Sequence, residues 1–237
     1  MTIVSSANHV APIRLAEWGE ASVRLIHRHP TGEYVAELDL PAGWTMTLPA
    51  NRALTLEMFV LRGELTIAGT TLTEWGYLHA PLGDELALSS ASATTVLVFA
   101  DQPRPTDGAT LRTVTTTSAD WRGGTIAARD TGRSLALEVR DLLSVPTTGQ
   151  RTWLLRAGAD LALPFERHRT VEEGYIVCGR YRLVECLDGG ETEFDHEPGG
   201  YFWRPAGIVH GGPRSRSDGD FVMLLRTPES LTVEFVS

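Results

Sequence analysis

Short apolar runs recur along the chain and alternate with glycine and proline. Examples are EYVAELDL (33–40), TTVLVFA (94–100), RTWLLRAG (151–158) and DFVMLLRT (220–227). Runs of this length, rich in β-branched and aromatic residues and bounded by turn residues, predict an all-β sandwich or barrel. Sustained helical periodicity is missing. The best helical candidate, TGRSLALEVRDLL at 131–143, is short and equally compatible with a strand.

The pattern of strands and turns also repeats within the chain. Residues 31–65 resemble residues 148–181, and residues 76–86 resemble residues 200–210. An internal repeat of this length indicates two structural units of the same kind. The Pro- and Gly-rich stretch 100–113 is the predicted joint between them. We therefore predict two β domains in tandem, over residues 1–108 and 109–237.

Composition and charge exclude several classes of function. The formal net charge of −9 and the absence of a run of 18 apolar residues argue against nucleic-acid or membrane partners. No secretory signal is visible and only two cysteines occur, so a soluble cytoplasmic protein is expected. All 21 basic residues are arginine, which excludes Schiff-base and P-loop lysine chemistry.

The stretch PFERHRTVEEGYIVCG (164–179) carries the strongest chemical signal. Glu166 and His168 are two residues apart, so in a strand both side chains point to the same face. Glu172 follows four residues later, and His210 stands further on, behind a Pro-x-Gly turn. Two imidazoles with one or two carboxylates resemble the ligand set of non-haem iron enzymes.

These two segments resemble the cupin family of jelly-roll barrels. The family pattern has paired histidines, a glutamate and a glycine, followed by Gly-x5-Pro-x-Gly-x2-His. The residues at these positions are, in order, Glu166, His168, Glu172, Gly179, Gly199, Pro205, Gly207 and His210. The first histidine of the pattern is Glu166 here, and the closing asparagine is Arg214. The resemblance implies two tandem double-stranded β-helix barrels.

The resemblance also implies one divalent metal in the second barrel, held by Glu166, His168, Glu172 and His210. Fe²⁺, Mn²⁺, Ni²⁺ and Zn²⁺ all remain open as the ion, and Glu166 is the candidate general base. A metal-free polar pocket is the alternative, although unpaired carboxylates inside a barrel would be costly. The first copy has neither histidine at the aligned positions, and we interpret it as a degenerate barrel without metal ligands.

Four residues are candidates for contact with a substrate: Tyr175, Trp203, Met223 and Arg214. The first three are candidate pocket walls, and many such residues are simply core. Arg214 would bind an anionic oxygen, but its loop-like surroundings also fit a surface residue. His196, in a polar hairpin, is expected at the surface.

The resulting functional prediction is a metal-dependent bicupin acting on a small organic molecule. A dioxygenase is one possibility, and a non-redox isomerase, cyclase or lyase is another. A ligand-binding or sensor protein is the alternative, since the resemblance extends to the cupin domain of anti-sigma factors that respond to singlet oxygen. Residues 1–20 lack the cysteines expected for the sigma-binding part of those proteins. By resemblance, either a compact pair of barrels within one chain or a homodimer is expected.

Overall fold

The computed structural model describes residues 2–103, 111–115, 121–127, 134–187 and 189–236, and the described part is almost entirely β-strand. The first eleven strands are β1 (Ile3–Ser6), β2 (Ser22–Arg28), β3 (Tyr34–Leu40), β4 (Trp44–Leu48), β5 (Thr55–Arg62), β6 (Leu65–Ile67), β7 (Thr70–Leu72), β8 (Tyr77–Ala80), β9 (Leu86–Ser90), β10 (Thr94–Asp101) and β11 (Arg112–Val114). The others are β12 (Arg122–Ala127), β13 (Ser134–Ser144), β14 (Arg151–Ala157), β15 (Glu166–His168), β16 (Glu172–Cys178), β17 (Tyr181–Leu187), β18 (Gly190–His196), β19 (Gly200–Arg204), β20 (Arg216–Ser217), β21 (Phe221–Thr227) and β22 (Val233–Phe235). Two single-turn 3-10 helices, Ala7–His9 and Ala16–Trp18, complete the regular structure.

The chain forms two compact units whose limits differ from the predicted boundary at 108/109. One unit is His9–Ser118, and the other is Ala119–Ser237 together with Met1–Asn8. Residues 1–8 join the second unit because β1 pairs antiparallel with β19. Strand β11 belongs to the first unit because it pairs with β8. Residues 104–110 of the predicted joint lie outside the described residues.

The N-terminal unit contains a six-stranded sheet in the order β11-β8-β5-β10-β3-β2 and a four-stranded sheet in the order β4-β9-β6-β7. Alternate residues of both sheets contribute to one apolar core, which includes Leu38, Trp44, Met58 and Val98, and Trp18 of the second 3-10 helix packs into it. Strand alternation explains this arrangement, because successive side chains point to opposite faces. Aromatic side chains are thus part of the core of this barrel.

The C-terminal unit contains a seven-stranded sheet in the order β1-β19-β16-β21-β14-β13-β12. A two-stranded sheet, β15-β22, and a three-stranded sheet, β18-β17-β20, complete it. The sequence β19-β16-β21-β14-β13 corresponds, strand for strand, to β8-β5-β10-β3-β2 of the first unit. The repeat in the sequence is therefore a repeat of sheet topology. The segment 131–143, which the sequence left open between helix and strand, is a strand over its described part, 134–143, where it belongs to β13.

One glycine turn has the same geometry in both units. Gly63 has φ of 85° and Gly179 has φ of 79°, a conformation that glycine adopts without steric cost. A Cβ at Gly63 would lie 2.6 Å from Thr94 Oγ1, and one at Gly179 would lie 2.3 Å from the carbonyl oxygen of Asp220. The equivalent strands β5 and β16 each end at this close approach.

The described residues include no helix that is long and apolar enough to cross a bilayer.

Candidate metal centre

Strand β15 places Glu166 and His168 inside the C-terminal barrel. Both side chains are buried, whereas Arg167 between them is exposed and pairs with Glu234 of β22. Arg169 pairs with the same carboxylate from the same outer face. The alternation expected for a strand therefore directs the two metal-capable groups inward and both arginines outward.

A glycine turn brings His210 to the same strand. Gly207 has φ of 86°, and its N–H donates to the carbonyl oxygen of His168 at 2.8 Å. The chain then returns along β15, where the backbone groups of Glu166 and His210 exchange two hydrogen bonds of 2.9 Å. Gly211 follows against the Pro164 carbonyl, where a Cβ would meet the oxygen at 2.4 Å. The Pro-x-Gly-x2-His spacing is thus required by a turn that closes on β15.

Glu166, His168 and His210 converge on one point. Their candidate ligand atoms all lie within 4.8 Å of one another. Glu166 Oε1 is 3.6 Å from His210 Nε2 and 4.0 Å from His168 Nε2. Two imidazoles and one carboxylate in this arrangement fit a divalent transition metal, which accepts both donor types.

Backbone carbonyls fix the tautomer of both histidines. His168 Nδ1 lies 3.4 Å from the Thr232 carbonyl oxygen, and His210 Nδ1 lies 3.1 Å from that of Ile208. A carbonyl oxygen only accepts, so each Nδ1 must donate. In the neutral ring Nε2 then keeps its lone pair, which is the form of histidine that binds a metal. Both Nε2 atoms face the carboxylates.

Glu172 lies beside the same histidines but has a different partner. Its Oε2 is 3.7 Å from His168 Nε2 and 3.9 Å from His210 Nε2. The same oxygen accepts a short hydrogen bond from Nη1 of Arg204, the residue directly opposite Glu172 in the β16–β19 pairing. Arg204 Nε donates to Glu185 Oε1 at 2.9 Å. A buried Glu185–Arg204–Glu172 chain therefore lies next to the three converging groups.

Burial shifts the proton affinity of two candidate ligands. Burial, and then the charge of Arg204, lower the pKa of His210 to about 3, so this imidazole is neutral at neutral pH. Burial raises the pKa of the Glu166 carboxyl, while His168 and Arg204 act in the opposite direction. The neutral form of His210 is the one that binds a metal, whereas the raised pKa of Glu166 favours its protonated acid, whose proton a bound metal would have to displace.

The converging groups open into a mainly apolar cavity of about 170 Å³. The apolar lining comes from several strands and loops and consists of Trp153, Leu155, Leu161, Leu163, Tyr181, Leu183, Phe202, Phe221, Met223, Leu225, Leu231 and Val233. Among the polar lining residues, Arg151 is paired with Asp141 and lies over the Trp153 ring. The cavity thus combines one polar end with a large apolar wall, as ligand sites generally do.

The structure places the four predicted substrate contacts in different surroundings. Met223 lines the cavity. Tyr175 and Trp203 are not among the lining residues. Glu172 of β16 and Phe202 of β19 line the cavity, and Tyr175 and Trp203 lie an odd number of positions from them, on the opposite face of the same strands. Arg214 is 52% exposed and pairs with two surface glutamates of β18. The surface alternative for Arg214 is the one that agrees with these contacts.

The surface assignment of His196 is wrong. This side chain ends β18, is only 5% exposed, and its ring centroid lies 6.2 Å from that of Phe202. The rest of β18 is largely exposed, which is why the segment resembles a polar hairpin. Its last residue points inward because it pairs with Tyr181 at the inner end of β17.

Arg204 is the functional candidate that the sequence reasoning missed. Buried carboxylates without a lysine to pair with them were expected to be costly. Arg204 compensates two of them, since it is 2% exposed and forms ion pairs with Glu172 and Glu185. Its position two residues after Phe202 gives it the inward parity, and this was the available signal. Trp203 was instead a candidate pocket wall, and that parity directs Arg204 away from the barrel interior.

The first barrel has different chemistry at the aligned positions. Arg52, one of the two residues that align with His168, donates hydrogen bonds to the carbonyl oxygens of Ala80 and Asp84 at 3.0 and 2.9 Å. A guanidinium that holds a loop in this way is not a metal ligand. Within the described residues, the convergent group of metal-capable side chains lies in the C-terminal unit.

Comparison with known proteins supports the fold assignment. No protein-family model and no curated protein matches the sequence. Among solved structures, a candidate dioxygenase from Nostoc punctiforme PCC 73102 has a TM-score of 0.73 at 15% identity, over 100% of this chain and 87% of its own. An oxalate decarboxylase from Lactobacillus farciminis, in a formate complex, has a TM-score of 0.71 at 10% identity, over 99% of this chain and 88% of its own.

A third match extends the same pattern. A candidate glyoxylate-induced protein from Pseudomonas aeruginosa has a TM-score of 0.72 at 16% identity, over 100% of this chain and 91% of its own. Identities this low show the fold and nothing finer. The chain has the two-barrel β fold of these structures, and the predicted all-β architecture of two jelly-roll barrels is confirmed.

Proposed function

We propose that the C-terminal barrel binds one divalent metal ion and is the active site of an enzyme that acts on a small organic molecule. The observation that carries the proposal is the convergence of Glu166, His168 and His210, within 4.8 Å of one another, at the polar end of an apolar cavity. When bound, the ion supplies Lewis acidity or, as Fe²⁺, access to O₂ chemistry.

The charge of the buried cluster supports a divalent cation. By formal charge, Glu166, Glu172 and Glu185 contribute −3 and Arg204 contributes +1, which leaves −2 apart from the two imidazoles. Buried charge that is not compensated is costly. One divalent ion neutralises this excess, and a monovalent ion leaves half of it.

The residues of the chain define what the site accepts. The apolar wall binds the body of the substrate, and an oxygen of the substrate is directed towards the ligands at the polar end. The two guanidinium groups at the cavity, Arg151 and Arg204, already face carboxylates. This arrangement favours a neutral or singly charged enol or phenol over a small dicarboxylate. The role of Glu166 as general base stays a prediction.

Within this proposal we favour an oxygenase that adds both atoms of O₂ to its substrate and needs no further reductant. The support is the donor set itself, because two histidines and one carboxylate with open positions are typical of non-haem Fe²⁺ oxygenases. One of the similar structures also belongs to a candidate dioxygenase.

Metal content tests the first half of the proposal. We expect about one equivalent of metal per chain in protein purified without a metal-affinity column, and loss of that metal in His210→Ala. The control is His9→Ala, which removes an exposed histidine of the 3-10 helix Ala7–His9. Retention of the metal in His210→Ala, or no metal in the wild type, would refute the proposed site.

Oxygen consumption tests the reaction class. The Fe²⁺-loaded protein is offered a panel of small enols and phenols in an oxygen electrode, with the His210→Ala variant in parallel. We expect uptake that depends on both the substrate and His210. A tightly held zinc ion with no oxygen uptake for any compound would instead favour the ligand-binding or sensor function.

A further inference from the structure

We propose that Arg204, fixed by Glu185, withholds Glu172 from the metal, so that the ion has three protein ligands, Glu166, His168 and His210. This inference rests on the proposed metal site and deepens it. It departs from the four-ligand set that the sequence pattern implies, because Glu172 becomes a counter-ion of Arg204.

The first step is the identity of the oxygen that Arg204 contacts. Oε2 of Glu172 faces both imidazole Nε2 atoms, at 3.7 and 3.9 Å, and is the oxygen that accepts from Arg204 Nη1. A charge-assisted hydrogen bond of this kind is among the stronger ones in proteins. To ligate the ion, this oxygen would have to give up the bond or place the guanidinium charge next to the metal.

The second step is that other contacts hold Arg204 in place. Its Nε donates to Glu185, which is 0% exposed, and its Cζ lies 4.6 Å from the ring centroid of Phe202. Removing the guanidinium from this position would leave Glu185 as an uncompensated buried charge. Glu185 therefore fixes Arg204, and Arg204 fixes Glu172.

The third step is the contrast with Glu166. This carboxylate is at a similar distance from the histidines, 3.6 and 4.0 Å, and within the described residues no arginine donates a hydrogen bond to it in the structure. Glu166 can therefore bind the metal without breaking a hydrogen-bonded ion pair with an arginine. Of the two carboxylates, Glu166 is the one available to the ion.

Three protein ligands leave more open coordination positions than four. In a six-coordinate ion, three positions then remain for the substrate and a second small molecule. The Glu185–Arg204–Glu172 chain is thus a positioning device, which sets the number of protein ligands without contacting the reacting atoms.

Metal affinity in three isosteric variants tests this inference, with Mn²⁺ or Fe²⁺ in competition with a chelator. Glu166→Gln removes a proposed ligand, and Glu172→Gln removes the disputed one. Glu185→Gln is the matched control, because it removes the same charge from the same cluster at a residue that does not line the cavity. We expect Glu172→Gln and Glu185→Gln each to lower metal affinity by about tenfold, the lower end of the range for residues that contact a metal ligand without binding the metal. The losses in the two variants should agree within about threefold. Glu166→Gln should lose about a hundredfold or more.

The opposite ranking overturns the inference. If Glu172→Gln loses about as much affinity as Glu166→Gln and far more than Glu185→Gln, Glu172 is a ligand and the ion has four. If the wild type binds no metal, the proposed function itself fails, which is a distinguishable result.

A second background tests the same inference independently of the ranking of the single variants. The double variant Glu185→Gln/Arg204→Gln removes both members of the fixing pair and frees Glu172. We expect Glu172→Gln to reduce metal affinity in this background by at least tenfold more than in the wild type. We also expect Glu172→Gln to change the visible spectrum of the Co²⁺-loaded double variant. An equal effect of Glu172→Gln in both backgrounds would overturn the proposal.

Discussion

At the scale of single residues, Arg204 has the largest influence on the stability of the site. Its guanidinium compensates two buried carboxylates, Glu172 and Glu185, whose side chains are 7% and 0% exposed. Breaking a buried pair by removing one partner is far more costly than losing a surface pair, because a charge is left without compensation.

We therefore expect Arg204→Met to lower the free energy of unfolding by about 3–5 kcal/mol. Arg214→Met is the matched control, since Arg214 also pairs with two glutamates but is half exposed, and it should change stability little. Urea unfolding of the metal-free proteins measures both. Equal effects of the two substitutions would mean that burial of the Arg204 pairs contributes nothing.

His196 gives a pH-dependent prediction. Burial, and then the charge of Arg204, lower its pKa from 6.5 to about 4 in the folded protein. Between these two pKa values the unfolded chain binds a proton that the folded protein does not, so stability is full above pH 6.5 and falls as the pH decreases towards 4.

His196→Leu removes this proton linkage. Between pH 7 and pH 5 the wild type should therefore lose about 2 kcal/mol more of its free energy of unfolding than the variant does. Urea unfolding of the metal-free proteins at the two pH values gives the change in unfolding free energy with pH for each protein. Subtracting the change in the variant from that in the wild type removes the contributions of the other titrating groups. An identical pH dependence in both proteins would place the imidazole in a solvated environment.

These two residues show where sequence reasoning ended. The alternation around Glu166 and His168 and the turn before His210 are local, and they were sufficient to identify the converging groups. The partner of Glu172 depends on the register of β16 against β19, which pairs it with Arg204. Register between strands that are distant in sequence is set by packing and turn geometry, and no local pattern reports it.

At the scale of strands, the contact between β16 and β19 defines the cavity wall. Gly174 is paired with Phe202, and a Cβ at Gly174 would lie 2.2 Å from Cε1 and Cζ of that ring. The ring also lies beneath the Arg204 guanidinium. The absence of a side chain at position 174 is therefore what allows Phe202 to lie flat in the wall.

We expect Gly174→Ala to lower stability by about 1–3 kcal/mol, the usual cost of overpacking, and to weaken binding of any ligand that fills the cavity. Gly123→Ala is the matched control, because it is also a strand glycine and a Cβ there meets nothing within 4 Å. Thermal or urea unfolding of both variants tests the difference. A Gly174→Ala protein as stable as the wild type would show that the ring moves without cost.

The same scale explains why β1 was assigned to the wrong unit. This strand has four residues, and its partner β19 begins at Gly200. Hydrophobic periodicity is a local pattern, so it cannot show that a short edge strand pairs with a strand about 200 residues further along the chain. The internal repeat was detectable because both copies keep the turn glycines, Gly63 and Gly179, that each sheet requires.

At the scale of the whole molecule, charge distinguishes specific metal binding from adventitious binding. The chain has 30 acidic and 21 basic residues, so exposed carboxylates are available to bind divalent ions weakly. The buried cluster differs because its excess charge is shielded from water, and an ion there stabilises the folded state by mass action. Metal removal should therefore destabilise the protein through one site only.

At a free metal concentration of 100 times the Kd, binding contributes about 2.7 kcal/mol, which corresponds to a rise in Tm of roughly 5–10 °C for a chain of this size. We expect calorimetry to show this rise for the wild type with Mn²⁺ or Fe²⁺, and no rise for His210→Ala, which lacks a proposed ligand. The apo variant also reports any loss of stability that the substitution itself causes. A rise of equal size in both proteins would place the stabilising ion on exposed carboxylates instead of in the barrel.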